Sequence, residues 1–389
     1  MNTNVLRWQI GYGSFGVPQA AAPIAFALIA LPITGSAASG AGLVFAMTAA
    51  QVLGSVPVSR LGARFHPVAY LRALIAVRTL ALAGMTVLAA TTAPFAWLMI
   101  AALAAGAVNG AAYGFQRTLL NHLVEPGRLP RALGVAATLN ELSFALSPVL
   151  ASVLGAVSPV WAMVAITLLG IGPLVLTPAV PEARAPRADR TAPRVRSRLP
   201  REVLLWLLCS AATGAAVAAI EVGAVSFALS FDLDPAWAFV FALALCVGSV
   251  LGGVWVSVRN RTPGLWKVVT FLVATSSGLG LALYDGGLVL TLAGAFLVGI
   301  FLPMLGTFYS LALDRIVPRD RRAELFAHLR TANALGVMGV SGLLALDGLG
   351  TALVSSLGLL VLATLCAAVF AWVTGGGPEQ RSDVRILDV

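Results

Sequence analysis

The stretch VLGSVPVS, residues 52–59, closes a long apolar run and leads directly into a basic turn. A second stretch, VLGGVWVS at residues 250–257, agrees with it at six of eight positions and also leads into a basic turn. A valine and a proline likewise precede both GRLPRALG (127–134) and RDRRAELF (319–326). Because these matches fall at corresponding places, the sequence predicts two halves of the same topology, related by an axis along the membrane normal.

The composition is that of a polytopic membrane protein. The 389 residues are 59% hydrophobic and 11% charged, whereas a soluble chain is about 25% charged. The net charge of +9 resides mainly in loops between apolar runs, so no nucleic-acid surface is expected. The cysteines lie in apolar runs without ligand spacing, which favours packing over a metal site or disulfide. No ATP-binding, metalloprotease or serine-hydrolase motif occurs, so neither an enzyme nor a cofactor is predicted.

Twelve apolar runs are long enough to cross a bilayer, which takes about 20 residues. We predict an all-α membrane protein with twelve transmembrane helices in two pseudo-symmetric six-helix halves. The predicted spans are 10–34, 40–59, 68–90, 94–116, 131–155, 159–179, 203–229, 236–257, 265–284, 287–312, 325–345 and 351–374. The predicted domains are an N-terminal half (1–180), a basic cytoplasmic linker (181–202), a C-terminal half (203–374) and a cytoplasmic tail (375–389).

Arginine determines the predicted orientation of these spans. One set of alternate loops contains the basic residues, including Arg60 and the run 184–201, and the opposite set contains neither Lys nor Arg. Cytoplasmic loops are the ones enriched in positive charge. Both termini are therefore predicted to be cytoplasmic, in a bacterial inner (plasma) membrane.

In its twelve spans, central basic linker and basic turn after span two, the chain resembles the major facilitator superfamily (MFS). Arg60, Gly62 and Arg64 match the family's cytoplasmic loop motif, whereas Ser55 and Ser59 stand where it has glycine and aspartate. The resemblance implies the MFS fold and transport of a small molecule.

Two further motifs of the family are altered here. Gly106 stands where the span-four motif would place an arginine, and Ser147-Pro148 takes the place of the Gly-Pro pair in span five of family exporters. The resemblance implies a helix bend at Ser147 and Pro148. A proline in an ordinary membrane helix is the alternative interpretation.

The resemblance also implies that spans one, four, seven and ten line a central cavity. Each carries polar, small and aromatic residues at helical spacing. The main stripes are Tyr12, Gly16, Gln19, Pro23 and Phe26; Asn109, Tyr113, Gln116 and Arg117; Ser210, Thr213, Gly214, Val217 and Glu221; and Phe296, Pro303, Thr307, Ser310 and Asp314. Such faces suit an amphipathic organic molecule, although small residues also mediate helix packing. The predicted substrate and proton pathway comprises Gln19, Asn109, Tyr113, Gln116, Arg117, Glu141, Glu221 and Thr307.

Two carboxylates, Glu141 and Glu221, lie at membrane depth. Glu141 is ten residues into span five, a depth of about 15 Å, and Arg78 reaches a similar depth in span three. Glu141 could form a structural ion pair with Arg78, carry a proton, or contact substrate. Glu221, in the outer half of span seven, is the favoured proton site, because an apolar environment favours the protonated form of a carboxylate.

These features predict a monomeric secondary active transporter whose partners are a small-molecule substrate, protons and the lipid bilayer. The preferred function is proton-coupled efflux, by antiport, of a small amphipathic compound through alternating access. The alternatives are a uniporter or importer of a small metabolite, and a transporter-like sensor or partner subunit.

Overall fold

The computed structural model describes residues 3–62, 64–124, 129–179, 200–259, 264–284, 286–316 and 322–374. Within these ranges, the side chains at 121, 129–131, 133–134, 137–138, 140–141, 257–259, 310, 314–316 and 322–327 are not described. The predicted linker (181–202) lies outside the described residues apart from 200–202, and the predicted tail (375–389) lies wholly outside them.

The described residues form helices and connecting turns, with no strand among them, and they divide into two compact units. The first unit comprises Met1–Arg196 and Asp234–Phe239, and the second comprises Ser197–Leu233 and Val240–Val389. The long helices of the first unit are α1 (Thr3–Thr34), α2 (Ala38–Gly62), α3 (Pro67–Ala90), α4 (Phe95–Leu123), α5 (Leu129–Val157), α6 (Pro159–Gly170) and its short continuation α7 (Gly172–Leu176). Those of the second unit are α8 (Arg201–Glu221), its continuation α9 (Ala224–Ser230), α10 (Phe239–Arg259), α11 (Leu265–Leu283), α12 (Leu288–Ile316), α13 (Arg322–Asp347) and α14 (Leu349–Val373).

The helices confirm an all-α membrane protein and agree approximately with twelve spans. Eleven segments of the described chain are long and apolar enough to cross a membrane. The predicted fifth span corresponds to α5, whose described apolar part, Leu142–Val157, is shorter than the other spans. The spans also differ in burial. α1 and α8 bury 78% and 67% of their most apolar window, against 22–44% in the other spans, so each is the central helix of its unit.

Two of the described spans are interrupted. Span six breaks between α6 and α7 because Pro173 has no N–H to continue the helix. The N–H of Leu174 donates to Ile171 O at 2.8 Å instead of to Gly170 O. Span seven breaks after Glu221, the last residue of α8, before α9 begins at Ala224.

The repeated stretches at 52–59 and 250–257 each make a close contact between two helices, one in each unit. A Cβ added at Gly54 would collide with the backbone of Ala107 on α4, and one added at Gly252 would collide with the backbone of Ile300 on α12. Small residues allow such close contact between membrane helices. In both units, therefore, the glycine of the repeat brings the second span against the fourth.

The same contact is made in the reverse direction by a glycine of the fourth span. Gly106 of α4 lies against the backbone of Met47, seven residues before Gly54, and Gly299 of α12 lies against that of Leu245, seven residues before Gly252. Gly106 is the position where the family motif would have arginine. At this position the structure has no room for a side chain between α2 and α4.

Candidate functional site

The polar centre of the first unit is built around Arg78 on α3. Its side chain is 3% exposed. Nη1 donates to Phe15 O at 3.1 Å and to Asn109 Oδ1 at 3.0 Å, and Nη2 donates to Gly170 O at 3.1 Å. The guanidinium also lies over the Phe15 ring, 4.1 Å from its centroid, a distance suited to a cation–π contact. One charged group thus joins four helices, α1, α3, α4 and α6.

The break in span six provides one of the acceptors of Arg78. Since Leu174 donates to Ile171 O, the Gly170 carbonyl is not used by the helix at that point and can accept from Nη2. In the described part of the chain, the acceptors of Arg78 are three neutral oxygens. Its Nε, also buried, has no acceptor there.

The network continues through three amide side chains. Asn109 accepts from Arg78 through Oδ1 and donates through Nδ2 to Gln19 Oε1 at 2.9 Å and to Gln51 Oε1 at 2.8 Å. Asn109 is buried, whereas both glutamines are only half-buried. We call Gln19, Gln51, Arg78 and Asn109 the amide cluster.

An aromatic wall runs from the amide cluster along α1 and α4. Trp8 stacks on Tyr12 with ring centroids 4.9 Å apart, and the Tyr12 hydroxyl is 2.9 Å from that of Tyr113. Phe15 completes the wall, with its centroid 6.5 Å from that of Tyr113. Tyr12 and Gln19 are two helical turns apart on one face of α1, and Tyr113 is one turn from Asn109 on α4. Trp8, Tyr12 and Phe15 are buried in the hydrophobic core of the first unit, and Tyr113 is half-buried.

The second unit contains a groove of about 490 Å³ between α8, α12 and α13. The groove is lined by Ser210, Thr213, Val217, Leu302, Gly306, Tyr309, Leu329, Arg330 and Asn333. Ser210 Oγ donates to Leu329 O at 3.2 Å, and Asn333 Nδ2 donates to Ser210 O at 3.3 Å, so α8 and α13 are held together at its wall. The lining combines hydroxyl, amide, guanidinium and aliphatic groups, which suits an amphipathic ligand.

The structure brings some of the predicted pathway residues together. Gln19 and Asn109 share the amide cluster, and Tyr113 belongs to the aromatic wall. Glu221 is half-buried at the end of α8.

Other predicted residues lie elsewhere. Gln116 is 1% exposed, and its backbone carbonyl accepts from Trp8 Nε1 at 2.9 Å. Arg117 is half-buried one residue further along α4, and Thr307 is exposed on α12 and is not among the groove residues. The side chain of Glu141 lies outside the described residues, so the Arg78–Glu141 pair stays a prediction.

The two predicted motifs occupy distinct environments. In the loop motif, Arg60 and Arg64 are exposed, whereas Gly62 is buried, and a Cβ added there would collide with the rings of Tyr70 and Phe115. In the helix-bend motif, Ser147 and Pro148 are buried in the middle of α5.

Sequence reasoning missed Gln51 and the groove residues Arg330 and Asn333. Gln51 stands alone in an apolar span, and a polar side chain at that depth is a signal that it needs a partner. Span two is not one of the four spans expected to line the cavity, so the sequence pattern does not select Gln51. Arg330 and Asn333 belong to span eleven, which is likewise not one of the four spans expected to line the cavity.

Comparison with known families agrees with this architecture. The model of the Major Facilitator Superfamily matches residues 10–341, and the chain belongs to that family. It is therefore a multi-pass membrane transporter and not an enzyme.

Three solved structures with the same fold are distant in sequence. A bacterial homologue of the iron transporter ferroportin, in an inward-facing state, has a TM-score of 0.73 at 14% identity, over 95% of this chain and 98% of that chain. The nucleoside transporter NupG has a TM-score of 0.70 at 13% identity, over 95% and 99%. A D-xylose-proton symporter has a TM-score of 0.70 at 15% identity, over 94% and 96%. At such identities the likeness concerns the fold alone, and no curated protein matches the chain significantly.

Proposed function

We propose that this transporter carries out proton-coupled export of a small amphipathic organic compound by alternating access. In this proposal it resides in a bacterial inner membrane with both termini in the cytoplasm. The observation that carries the proposal is the amide cluster of the first unit beside its aromatic wall. The half-buried glutamines of the cluster offer hydrogen bonds to a polar group, and half-buried Tyr113 offers an aromatic ring beside them.

The groove of the second unit supports the same class of substrate. Its hydroxyl and amide groups, Ser210, Thr213 and Asn333, stand beside aliphatic Leu302 and Leu329. Ligand sites of this kind are mostly apolar, with a few polar groups that orient the ligand. A uniformly polar substrate would leave the aliphatic side chains of the groove without a contact.

Proton coupling is assigned to Glu221. Ionisable residues inside membrane segments are costly and usually serve function. Glu221 closes α8 at the interruption of span seven, on the helix that also supplies Ser210, Thr213 and Val217 to the groove. A carboxylate on the same helix as the substrate groove can link its protonation state to the occupancy of that groove.

The direction of transport is assigned from the helix-bend motif. Pro148 lies inside α5, with Ser147 before it, where exporters that this chain resembles have their Gly-Pro pair. Proline removes one backbone hydrogen bond and bends the helix. A bend at this position supports export over import.

The experiment that tests the proposal compares Glu221→Gln with wild type in proteoliposomes that have an imposed pH gradient. A panel of fluorescent amphipathic dyes serves as substrate. We expect Glu221→Gln, which cannot ionise but keeps a similar shape, to abolish gradient-driven dye accumulation while dye binding is retained. Glu202→Gln is the matched control, because Glu202 is an exposed carboxylate at the other end of α8, and it should transport like wild type.

Gradient-driven accumulation by Glu221→Gln at the wild-type rate would contradict the assignment of the coupling proton. Dye movement by wild type that ignores the pH gradient would favour a uniporter. The proposed orientation is checked by impermeant thiol labelling of Tyr284→Cys and Asp189→Cys in intact cells, with the native cysteines replaced. Only the cysteine at 284 should react.

A further inference from the structure

The direction of every hydrogen bond in the amide cluster follows from Arg78. A guanidinium can only donate, so the Asn109 atom 3.0 Å from Nη1 must be its oxygen. The other end of that amide, Nδ2, can only donate. Gln19 and Gln51 must therefore each present their oxygen to Asn109, at 2.9 and 2.8 Å.

The consequence is that both glutamines have their Nε2 groups left over. Each Nε2 carries two N–H donors, and in the described part of the chain neither one hydrogen-bonds to protein. Arg78 and Asn109 are buried, whereas both glutamines are half-buried. The accessible end of the amide cluster therefore presents donors, which can bind only an acceptor group.

We propose that Gln19 and Gln51 together bind an oxygen acceptor of the substrate, with a carboxylate as the preferred group. In this proposal Arg78 and Asn109 are positioning residues, which orient the two glutamines without touching the substrate. The inference rests on the proposed function, because it names the polar group of the amphipathic molecule assigned to this transporter.

Charge and geometry both favour a carboxylate. The two Nε2 groups can only donate, so together they can serve the two oxygens of a carboxylate, and hydrogen bonds to ionised groups are the stronger ones. Half-buried Tyr113 lies one turn from Asn109, about 6 Å along α4, which places an aromatic ring within reach of the apolar body of such a molecule.

The test reverses the order of donors and acceptors. In Asn109→Asp, one carboxylate oxygen accepts from Arg78 and the other faces Gln19 and Gln51. Both glutamines must then turn their Nε2 groups towards Asp and their oxygens outwards. A site that selected an acceptor would select a donor instead.

Two probes of matched shape measure this change, 2-naphthoate and 2-naphthylmethylammonium, titrated calorimetrically into the purified full-length protein. We expect wild type to bind naphthoate at least about tenfold more tightly than the ammonium probe, the effect of one charge-assisted hydrogen bond. Asn109→Asp should invert that preference. Gln51→Leu, which removes donors without adding charge, should weaken naphthoate binding without inverting the preference.

The outcomes separate this inference from the proposed function. An Asn109→Asp protein that keeps the wild-type preference, or a Gln51→Leu protein that binds naphthoate like wild type, overturns the inference. If Asn109→Asp does not fold, the Gln51→Leu result decides alone. Dye transport that follows the pH gradient in wild type, with the wild-type probe preference kept in Asn109→Asp, would contradict the inference and leave the proposed function standing. Inverted preferences without any transport would support the inference and contradict the proposed function.

Discussion

The two units use their polar side chains differently. In the first unit, Arg78 and Asn109 cross-link α1, α2, α3, α4 and α6. In the second unit, buried Thr275, Ser341 and Ser356 each donate to a carbonyl one turn earlier in their own helix, at 2.7–2.8 Å. Polar groups that bond within their own helix add little to helix association. Among the described residues, the polar network of the first unit thus joins five helices, whereas the hydrogen bonds of Ser210 and Asn333 in the second unit join only α8 to α13.

The repeat allows the two units to be compared at equivalent positions. Gln51 stands three residues before Gly54, and the residue three before Gly252 is Ser249. Asn109 stands three residues after Gly106, and the residue three after Gly299 is Leu302, which lines the groove. The packing glycines are therefore shared by the two units, whereas the amide cluster belongs to the first unit only. Shared architecture does not require shared binding chemistry.

The largest expected effect comes from removing the centre of the network. Arg78→Gln loses most of three hydrogen bonds to a charged group, and each such bond contributes about 1.5–3 kcal/mol. We expect the variant to be destabilised by roughly 3–5 kcal/mol, measured by thermal unfolding in detergent. The control is Arg72→Gln on the same helix, because Arg72 is exposed and, among the described residues, donates to Thr177 O alone. Equal melting temperatures for the two variants would contradict the central role of Arg78.

The same measurement tests the predicted Arg78–Glu141 pair. If the two charges are coupled, adding Glu141→Gln to Arg78→Gln should restore part of the lost stability, because no unpaired charge is left behind. Destabilisations that simply add would show that the two residues are not paired.

An intermediate effect is expected at the shared packing glycines. Gly252→Ala places a methyl group against the backbone of Ile300, whereas at adjacent Gly253 no atom lies within 4 Å of an added Cβ. Overpacking costs about 1–3 kcal/mol, so Gly252→Ala should lower the melting temperature and Gly253→Ala should not. Gly54→Ala should behave like Gly252→Ala. A large loss at only one of Gly54 and Gly252 would break the packing equivalence of the two units.

The smallest effect is expected for a buried hydroxyl of the second unit. Thr275 is fully buried on α11, and its Oγ1 donates to Phe271 O of the same helix at 2.8 Å. Thr275→Val removes a bond that links no two helices, so we expect a loss below about 1 kcal/mol. A loss comparable to that of Arg78→Gln would mean that the second unit also depends on polar contacts.

The sequence alone established the membrane class, the approximate number of spans and the repeat. These properties depend on local composition, since about 20 apolar residues in a row can satisfy their backbone only as a helix in the bilayer. The equivalence of Gly54 and Gly252 is also visible in the sequence, because they occupy the same position of the repeat. Gln19 and Asn109 were found as polar residues on the faces of spans expected to line a cavity.

Only the tertiary structure decided which polar residues meet. Gln51 joins the amide cluster because Gly54 and Gly106 bring α2 against α4. The Gly170 carbonyl reaches Arg78 because Pro173 interrupts span six. The groove forms from α8, α12 and α13, and the stripe pattern selected Thr307 on α12, whereas Tyr309 and Gly306 line the groove. A hydrophobic pattern reports whether a residue is in the membrane, but the partner of a buried polar group depends on the rotation and spacing of neighbouring helices, which only their mutual packing determines.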